Sequence, residues 1–141
     1  MIVVERATEE DLLPLFEIDR AAGHPERAAE LEEAVKTRRA YIARDQDTHL
    51  GFAVIKRDFF GYPFIALLVV HPNYRRRGVA SALVAYIEKT CPADRLFTST
   101  NLSNQPAQAL FERLGFSRSG IIENLDDDDP ELIYVKRLKR D

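Results

Sequence analysis

Cysteine and tryptophan are almost absent from this 141-residue chain, which contains one cysteine, Cys91, and no tryptophan. A single cysteine cannot form an internal disulfide, and it offers no cluster of thiolate ligands for a metal. The three histidines, His24, His49 and His71, lie far apart and show no ligand spacing. We therefore expect no metal site, and nothing in the cysteine usage points to a secreted protein.

A strong excess of one charge is also lacking, since 20 basic and 23 acidic residues leave a formal net charge of −3. This balance argues against a basic, electrostatically driven nucleic-acid binder, so we expect no nucleic-acid partner. No apolar run reaches membrane-spanning length, and the segment 1–6 becomes charged after four residues, without the hydrophobic core of a signal peptide. The sequence therefore predicts one cytoplasmic domain over residues 1–141, with no membrane partner.

Hydrophobic periodicity predicts both helices and strands. Apolar residues at helical spacing predict helices over 9–21, 25–38, 79–91 and 104–114. Runs rich in β-branched and aromatic residues predict strands at 2–6, 40–44, 50–55, 64–70, 96–100, 117–122 and 132–138. The run 64–70, FIALLVV, contains no polar residue, which is typical of a strand buried on both faces. We predict an α/β protein with a mixed sheet of about seven strands covered by about four helices.

The most informative stretch is the junction at residues 69–80, which reads VVHPNYRRRGVA. A buried strand ends there, three arginines follow, and Gly78 opens a helix whose first residues are small. Unpaired N–H groups at a helix start, the helix dipole and neighbouring guanidinium groups together favour an anion, best a phosphate or pyrophosphate. The loop lacks the features of a Walker A loop and the three spaced glycines of a dinucleotide fingerprint. A solvated charge run that caps a helix is the alternative interpretation.

Two motifs resemble those of the GNAT (GCN5-related N-acetyltransferase) superfamily. The first, Arg75-x-x-Gly78-x-Ala80 after an apolar strand, is similar to the family's acyl-CoA pyrophosphate loop, Gln/Arg-x-x-Gly-x-Gly/Ala. The second is similar to a family motif with Asn, Ala, Tyr and Gly-Phe at the same intervals, and here reads Asn104-x-x-Ala107-x-x-x-Phe111-x-x-x-Gly115-Phe116. The resemblance covers essentially the whole chain. It implies a mixed, mostly antiparallel sheet of about seven strands with splayed central strands.

The resemblance also implies acetyl-CoA as the acetyl donor. Backbone groups at the end of the 64–70 strand would pair with the pantetheine arm, and the N–H groups of 76–81 would hold the pyrophosphate. Asn104 corresponds to the family residue whose side chain hydrogen-bonds pantetheine, although an ordinary helix N-cap is an equally good interpretation. The implied cofactor-binding set is Leu68, Val69, Val70, Arg75, Arg76, Arg77, Gly78, Val79, Ala80, Ser81, Asn104, Ala107 and Phe111.

Phe111 departs from the family pattern, which usually has a tyrosine near the thioester sulfur as the general acid. A phenylalanine cannot donate a proton, so packing in the core is its expected main role. A thiol pKa of roughly 8.5 makes thiolate a tolerable leaving group without that acid. Water or Ser103 is the alternative proton donor to the sulfur.

The proton acceptor for the incoming amine is not obvious from the residues. The resemblance implies direct attack of a neutral amine on the acetyl carbonyl, helped by proximity and by a backbone N–H at the strand end. Ser99 stands where some relatives have a glutamate, and serine is a poor base at neutral pH. Glu123, or an acid of the loop that follows it, acting through water, is the candidate base.

Carboxylates concentrate between the last two predicted strands, where residues 123–131 read ENLDDDDPE. In the resemblance this loop borders the acceptor entrance. Its potential would attract a cationic amine, with Glu123 and Asp126 as substrate-binding residues. A solvated turn that protects a sheet edge from aggregation is the alternative interpretation.

These features predict an N-acetyltransferase that transfers the acetyl group of acetyl-CoA to a primary amine, with a small cationic amine as the favoured acceptor. Two alternatives stay open. One is acetylation of a protein N-terminus. The other is a CoA-binding regulatory or interaction module without catalysis, which Phe111 and the missing base favour. A homodimer is compatible with the sequence, although no residue pattern requires it.

Overall fold

The computed structural model describes residues 1–24 and 26–138 of the chain. These residues form seven strands and four α-helices, as the sequence predicts, with short 3-10 turns at Glu9–Asp11 and Pro72–Tyr74. The elements in chain order are β1 (Val3–Arg6), α1 (Leu12–Ala21), α2 (Ala28–Lys36), β2 (Ala40–Asp45), β3 (Thr48–Phe59), β4 (Tyr62–Val70), α3 (Val79–Thr90), β5 (Arg95–Asn101), α4 (Gln105–Arg113), β6 (Ser117–Ile122) and β7 (Glu131–Arg137). No helix in this described part is long and apolar enough to cross a membrane.

The strands form one sheet in the order β1-β2-β3-β4-β5-β7-β6. The pairs β1–β2, β2–β3, β5–β7 and β6–β7 are antiparallel, and β4–β5 is parallel, which confirms the predicted mixed sheet. The parallel ladder joins Phe64 to Phe97 and Ile65 to Thr98, and both strands continue beyond it, to Val70 and Asn101. The splayed arrangement of the central strands stays a prediction.

The chain divides into two compact units. The first consists of Met1–Ile55 and Ala66–Thr90, and the second consists of Lys56–Ile65 and Cys91–Asp141. The single domain over residues 1–141 stays a prediction. Both units contain buried apolar residues, because period-2 alternation along the strands places one set of apolar side chains under a covering helix.

The core of the first unit lies between the helices α1 and α2 and one face of β2 and β3. The buried helix residues Leu15, Ile18, Leu31, Ala34 and Val35 pack on the strand residues Ala40, Ile42, Phe52 and Val54. Tyr41, whose side chain points to the other face of β2, contacts Tyr86 of α3 with ring centroids 5.4 Å apart. The helices α1 and α2 therefore cover one face of these strands, and α3 covers the other.

A buried ion pair joins α1 to the start of α2. Asp19 is 4% exposed and accepts two hydrogen bonds from Arg27, at 2.7 Å from Nε and 2.6 Å from Nη2. The bidentate geometry satisfies both carboxylate oxygens of a side chain that is otherwise costly to bury.

The helix α2 begins at Ala28, whereas the sequence predicts a start at Pro25, a residue that lies outside the described part of the chain.

In the second unit, α4 covers one face of β5 and β7. Phe111 is 5% exposed, and its ring lies 5.5 Å from that of Tyr134 and 5.9 Å from that of Phe116. The packing role predicted for Phe111 is therefore confirmed. Gly115 follows the helix at φ +94°, the left-handed conformation that glycine commonly adopts after the last helical turn.

Most predicted strands differ from the observed ones by one or two residues at an end, and β3 differs most. β3 runs on to Phe59 rather than ending at residue 55, and a turn with positive φ at Phe60 and Gly61 joins it to β4. The added residues 56–58 are polar and exposed, so they carry no apolar pattern that would mark them as strand.

The expectation that β4 is buried on both faces is wrong. Only Pro63, Ile65 and Val69 are buried, and the other side chains of the strand are half-exposed. Val69 belongs to the core beneath α1 and α2, whereas Leu68 and Val70 point to the other face. An unbroken apolar run has no alternation, so the sequence does not reveal that one face is left partly open.

Candidate active site

The junction between β4 and α3 holds the predicted anion site, in the first unit. After Val70, the His71 N–H donates to the Leu50 carbonyl at 2.9 Å, and His71 Nδ1 accepts from the Asn73 N–H at 3.1 Å. This second bond caps the 3-10 turn at Pro72–Tyr74. His71 therefore has a structural role, and its two bonds fix the direction in which the arginine loop, residues 75–78, leaves the sheet.

The backbone of the arginine loop takes two left-handed positions, Arg76 at φ +63° and Gly78 at φ +82°. Turns of this kind direct successive backbone N–H groups into one concavity that suits an anion. An added Cβ at Gly78 would meet nothing within 4 Å, so the glycine is required for its φ angle rather than for space. Arg75, Arg76 and Arg77 are exposed, and the Arg77 guanidinium lies 5.5 Å from the centre of the Tyr74 ring.

The start of α3 supplies the N–H groups of this site. The first helical hydrogen bond runs from the Ala82 N–H to the Gly78 carbonyl, at 3.0 Å. Within the described chain, the N–H groups of Val79, Ala80 and Ser81 therefore have no backbone acceptor. Val79 is 2% exposed and anchors the turn in the core. Together with the helix dipole and the arginines, this end of α3 fits a pyrophosphate.

Gly51 of β3 allows the close packing of the backbone around the site, and the sequence analysis did not identify it. A Cβ on Gly51 would lie 2.7 Å from the Val69 carbonyl oxygen, 3.0 Å from Val79 Cγ1 and 3.2 Å from the Val70 Cα. No side chain fits there, so only glycine lets β3 approach the end of β4 and the first residue of α3. An isolated glycine inside a strand pattern is the signal that would have indicated a close backbone contact.

Asn104 and Phe111, the downstream motif residues, lie in the second unit. Asn104 is the N-cap of α4, because its Oδ1 accepts a hydrogen bond from the Ala107 N–H at 3.1 Å. This is one of the two roles that the sequence allows, and its contact with pantetheine stays a prediction. Phe111 is on the buried face of α4, where it packs against Tyr134.

The most notable polar contact of the second unit joins β5 to β7. Ser99 Oγ donates to Glu131 Oε2 at 2.6 Å, and both side chains are half-buried. Glu131 lies opposite Asn101 in the antiparallel register, so its carboxylate reaches diagonally across the ladder to Ser99. The sequence counts Glu131 only among the acids of the loop. The bond links residues 32 positions apart, which no local pattern reveals.

The acidic loop, residues 123–130, encloses a concavity of about 540 Å³ lined by Glu123, Asn124, the four aspartates Asp126, Asp127, Asp128 and Asp129, and Pro130. Two of these carboxylates hold the loop in place. Asp126 accepts from Asn101 Nδ2 at 2.8 Å, and Asp129 accepts from the Ser103 N–H at 3.0 Å and from its hydroxyl at 2.6 Å. The Ser103 proton is thus engaged by Asp129, which weakens Ser103 as a donor to the sulfur. Glu123 is exposed at the rim.

Residues 6–116 match the model of the acetyltransferase (GNAT) family. The chain belongs to the GNAT family. A crystal structure of a GNAT-family acetyltransferase from Bacillus cereus is 36% identical and covers 99% of each chain, with a TM-score of 0.92. The GNAT fold predicted from the two motifs is thereby confirmed.

Two further similar proteins differ in the acceptor that each printed name indicates. N-alpha-acetyltransferase 30 of Schizosaccharomyces pombe is 31% identical over 56% of this chain, and the match spans 57% of that relative's own length. A Bacillus anthracis protein described as a candidate streptothricin acetyltransferase, in complex with acetyl coenzyme A, is 18% identical with a TM-score of 0.82 and covers 99% of each chain. The latter likeness concerns the fold alone.

Proposed function

We propose that this protein transfers the acetyl group of acetyl-CoA to a primary amine. The observation that carries the proposal is the arginine loop, where left-handed Arg76 and Gly78 present the first N–H groups of α3 at the end of β4. Acetyl-CoA would supply a thioester whose acetyl carbon accepts the amine. The residues of the loop bind and orient its pyrophosphate, and the arginines offset its charge.

The rest of the donor would extend from this loop along β4. Leu68 and Val70 lie on the half-exposed face of the strand, in the stretch beyond the β4–β5 ladder. Backbone groups released from a ladder are available to an extended ligand, which would add to the strand as a peptide does. Asn104 Oδ1 is engaged by the Ala107 N–H, so its Nδ2 amide is the group that would donate to the pantetheine arm.

We favour a peptide α-amine as the acceptor. The relative N-alpha-acetyltransferase 30, at 31% identity, is named for that reaction. The acidic loop supports a small cationic acceptor less than its composition suggests, because Asp126 and Asp129 are engaged in holding the loop. A small cationic amine remains the second candidate, supported by the 540 Å³ concavity in which Glu123, Asp127 and Asp128 also lie.

The experiment that tests the proposal measures thiol release from acetyl-CoA with three acceptors. One is a short peptide with a free α-amine, one is the same peptide with a blocked N-terminus and an internal lysine, and one is spermidine. Turnover of the free peptide alone supports the α-amine, and turnover of spermidine alone supports the small-amine candidate. A thermal shift with CoA but no turnover of any acceptor would identify a binding module and contradict the proposed catalysis. Neither a shift nor turnover would overturn the CoA assignment.

A further inference from the structure

The Ser99–Glu131 pair stands at a chemically significant point of the second unit. The β4–β5 ladder ends at the Ile65–Thr98 pair, and Ser99 is the next residue of β5. On its other edge β5 pairs with β7, where Ser99 lies opposite Ile133. Glu131 brings a carboxylate to this point from β7, 2.6 Å from the Ser99 hydroxyl.

The pair lies on the face of the sheet opposite to α4. Side chains alternate along a strand, so Ser99 and Asn101 share one face of β5, whereas Thr98 shares the other with its partner Tyr134. Tyr134 is fully buried against Phe111 of α4, which identifies the covered face. Ser99 and Glu131 are half-exposed, so this carboxylate is accessible to a substrate while being held by a hydrogen bond.

We infer that Glu131 is the proton acceptor for the incoming amine and that Ser99 positions its carboxylate. The inference rests on the proposed function, since it names the base of that reaction. An ionised carboxylate has four lone-pair sites, so the Ser99 bond fixes its rotamer and leaves sites for an ammonium proton. Glu123 has no such positioning partner among the described residues, which favours Glu131 as the base.

Two protons leave the substrate nitrogen during the reaction. One N–H bond of the substrate ammonium breaks, and its proton forms an O–H bond with Glu131. The amine lone pair then bonds to the thioester carbonyl carbon, and the C–S bond breaks with its electron pair on sulfur. A second N–H proton passes through water to the thiolate, and Glu131 releases its proton to solvent. In sum, the ammonium and acetyl-CoA give an amide, the CoA thiol and one proton.

The test replaces the carboxylate and then moves it. Glu131→Gln keeps the size of the side chain and removes the base, so kcat should fall about 100-fold or more. Ser99→Ala leaves the carboxylate unpositioned, and kcat should fall about tenfold. The double variant Ser99→Glu/Glu131→Ser returns a carboxylate to the same place from β5, and it should recover at least about tenfold over Glu131→Gln. Glu112→Gln on α4 is the control for loss of one exposed acid.

Two readouts separate catalysis from folding. The thermal shift with CoA should be unchanged in Glu131→Gln, because other residues bind CoA. The pH profile of kcat/KM should lose its acidic limb in this variant, which a purely structural role would not cause. If the wild type acetylates the peptide and Glu131→Gln retains kcat within twofold, this inference is overturned and the proposed function stands. If the wild type turns over no acceptor, the proposed function is overturned and the inference with it.

Discussion

The arginine loop and the acidic loop are both short, charged and exposed, yet they use their charge differently. Among the described residues, the guanidinium groups of Arg75 and Arg76 form no ion pair, and the loop takes its shape from backbone angles. In the acidic loop, Asp126 and Asp129 accept hydrogen bonds from Asn101 and Ser103. When the backbone angles set the shape of a loop, its charged side chains stay available to a ligand. When hydrogen bonds from the side chains set the shape, part of the charge is engaged within the protein.

The largest effect is expected at Gly78. Gly78→Asp adds a carboxylate beside the pyrophosphate site and a side chain at φ +82°. CoA affinity should fall about 100-fold, roughly 2.7 kcal/mol, measured by calorimetry. Gly61→Asp is the matched control, because Gly61 has φ +83° and equally open surroundings but lies in the β3–β4 turn. Equal losses in both variants would show that backbone strain alone is being measured.

A smaller effect separates backbone shape from charge in the same loop. Arg76→Gly and Arg76→Val remove the same charge, but only glycine adopts φ +63° without cost. Relative to the wild type, CoA should bind about threefold more weakly to Arg76→Gly and about tenfold more weakly to Arg76→Val. Dissociation constants at low and high salt check this. Equal affinities of the two variants would mean that charge, not backbone, makes the site.

In the acidic loop, replacing a carboxylate that holds the loop should lower the stability of the fold more than it lowers the affinity for CoA. Asp129→Ala removes two hydrogen bonds to Ser103, so the free energy of unfolding should fall by about 1–2 kcal/mol. Asp127→Ala removes an exposed carboxylate of the same loop, and urea denaturation should show a change within about 0.5 kcal/mol. If both variants unfold at the same urea concentration, the loop is not held by Asp129.

The smallest effect is expected for a half-exposed ion pair outside both loops, which gives a reference for charge near the surface. Arg44 Nε donates to Glu5 Oε1 at 2.7 Å, and this hydrogen bond holds the pKa of Glu5 below its ordinary value. A lowered folded-state pKa gives stability that is present above the unfolded value and is lost as the pH falls through the folded one. The Tm of Glu5→Gln should be slightly below that of the wild type at neutral pH. The difference should shrink as the pH falls below about 4.3, the ordinary pKa of a glutamate, and a difference that grows there would contradict the assignment.

Sequence reasoning succeeded where the deciding residues are close together along the chain. Local contacts of this kind are seen at Thr8 and Asp11, which stand three residues apart, where the Thr8 N–H donates to the Asp11 carboxylate at 2.8 Å. The N-cap at Asn104 and the left-handed Gly115 follow the same rule. Element bounds were less accurate, because polar strand residues such as 56–58 carry no pattern of burial.

The candidate site was predictable in part for the same reason. The arginine loop and its glycine were visible because a strand end, a turn and a helix start are contiguous. Glu131 was not singled out, and the half-open face of β4 was missed. Both depend on which strands become neighbours, and β7 pairs with β5 although β6 lies between them in the chain.

The sequence by itself determined the order of elements, the caps, the left-handed glycines and the motifs that mark the family, since each rests on interactions within a few residues. Tertiary structure alone decided that Gly51 must lack a side chain beneath the Val69 carbonyl, that Asp129 bonds to Ser103, and that Glu131 reaches Ser99. The physical reason is that hydrogen bonds and steric exclusion depend on distance in space. Strand pairing sets that distance for residues 26 and 32 positions apart in the two hydrogen-bonded pairs.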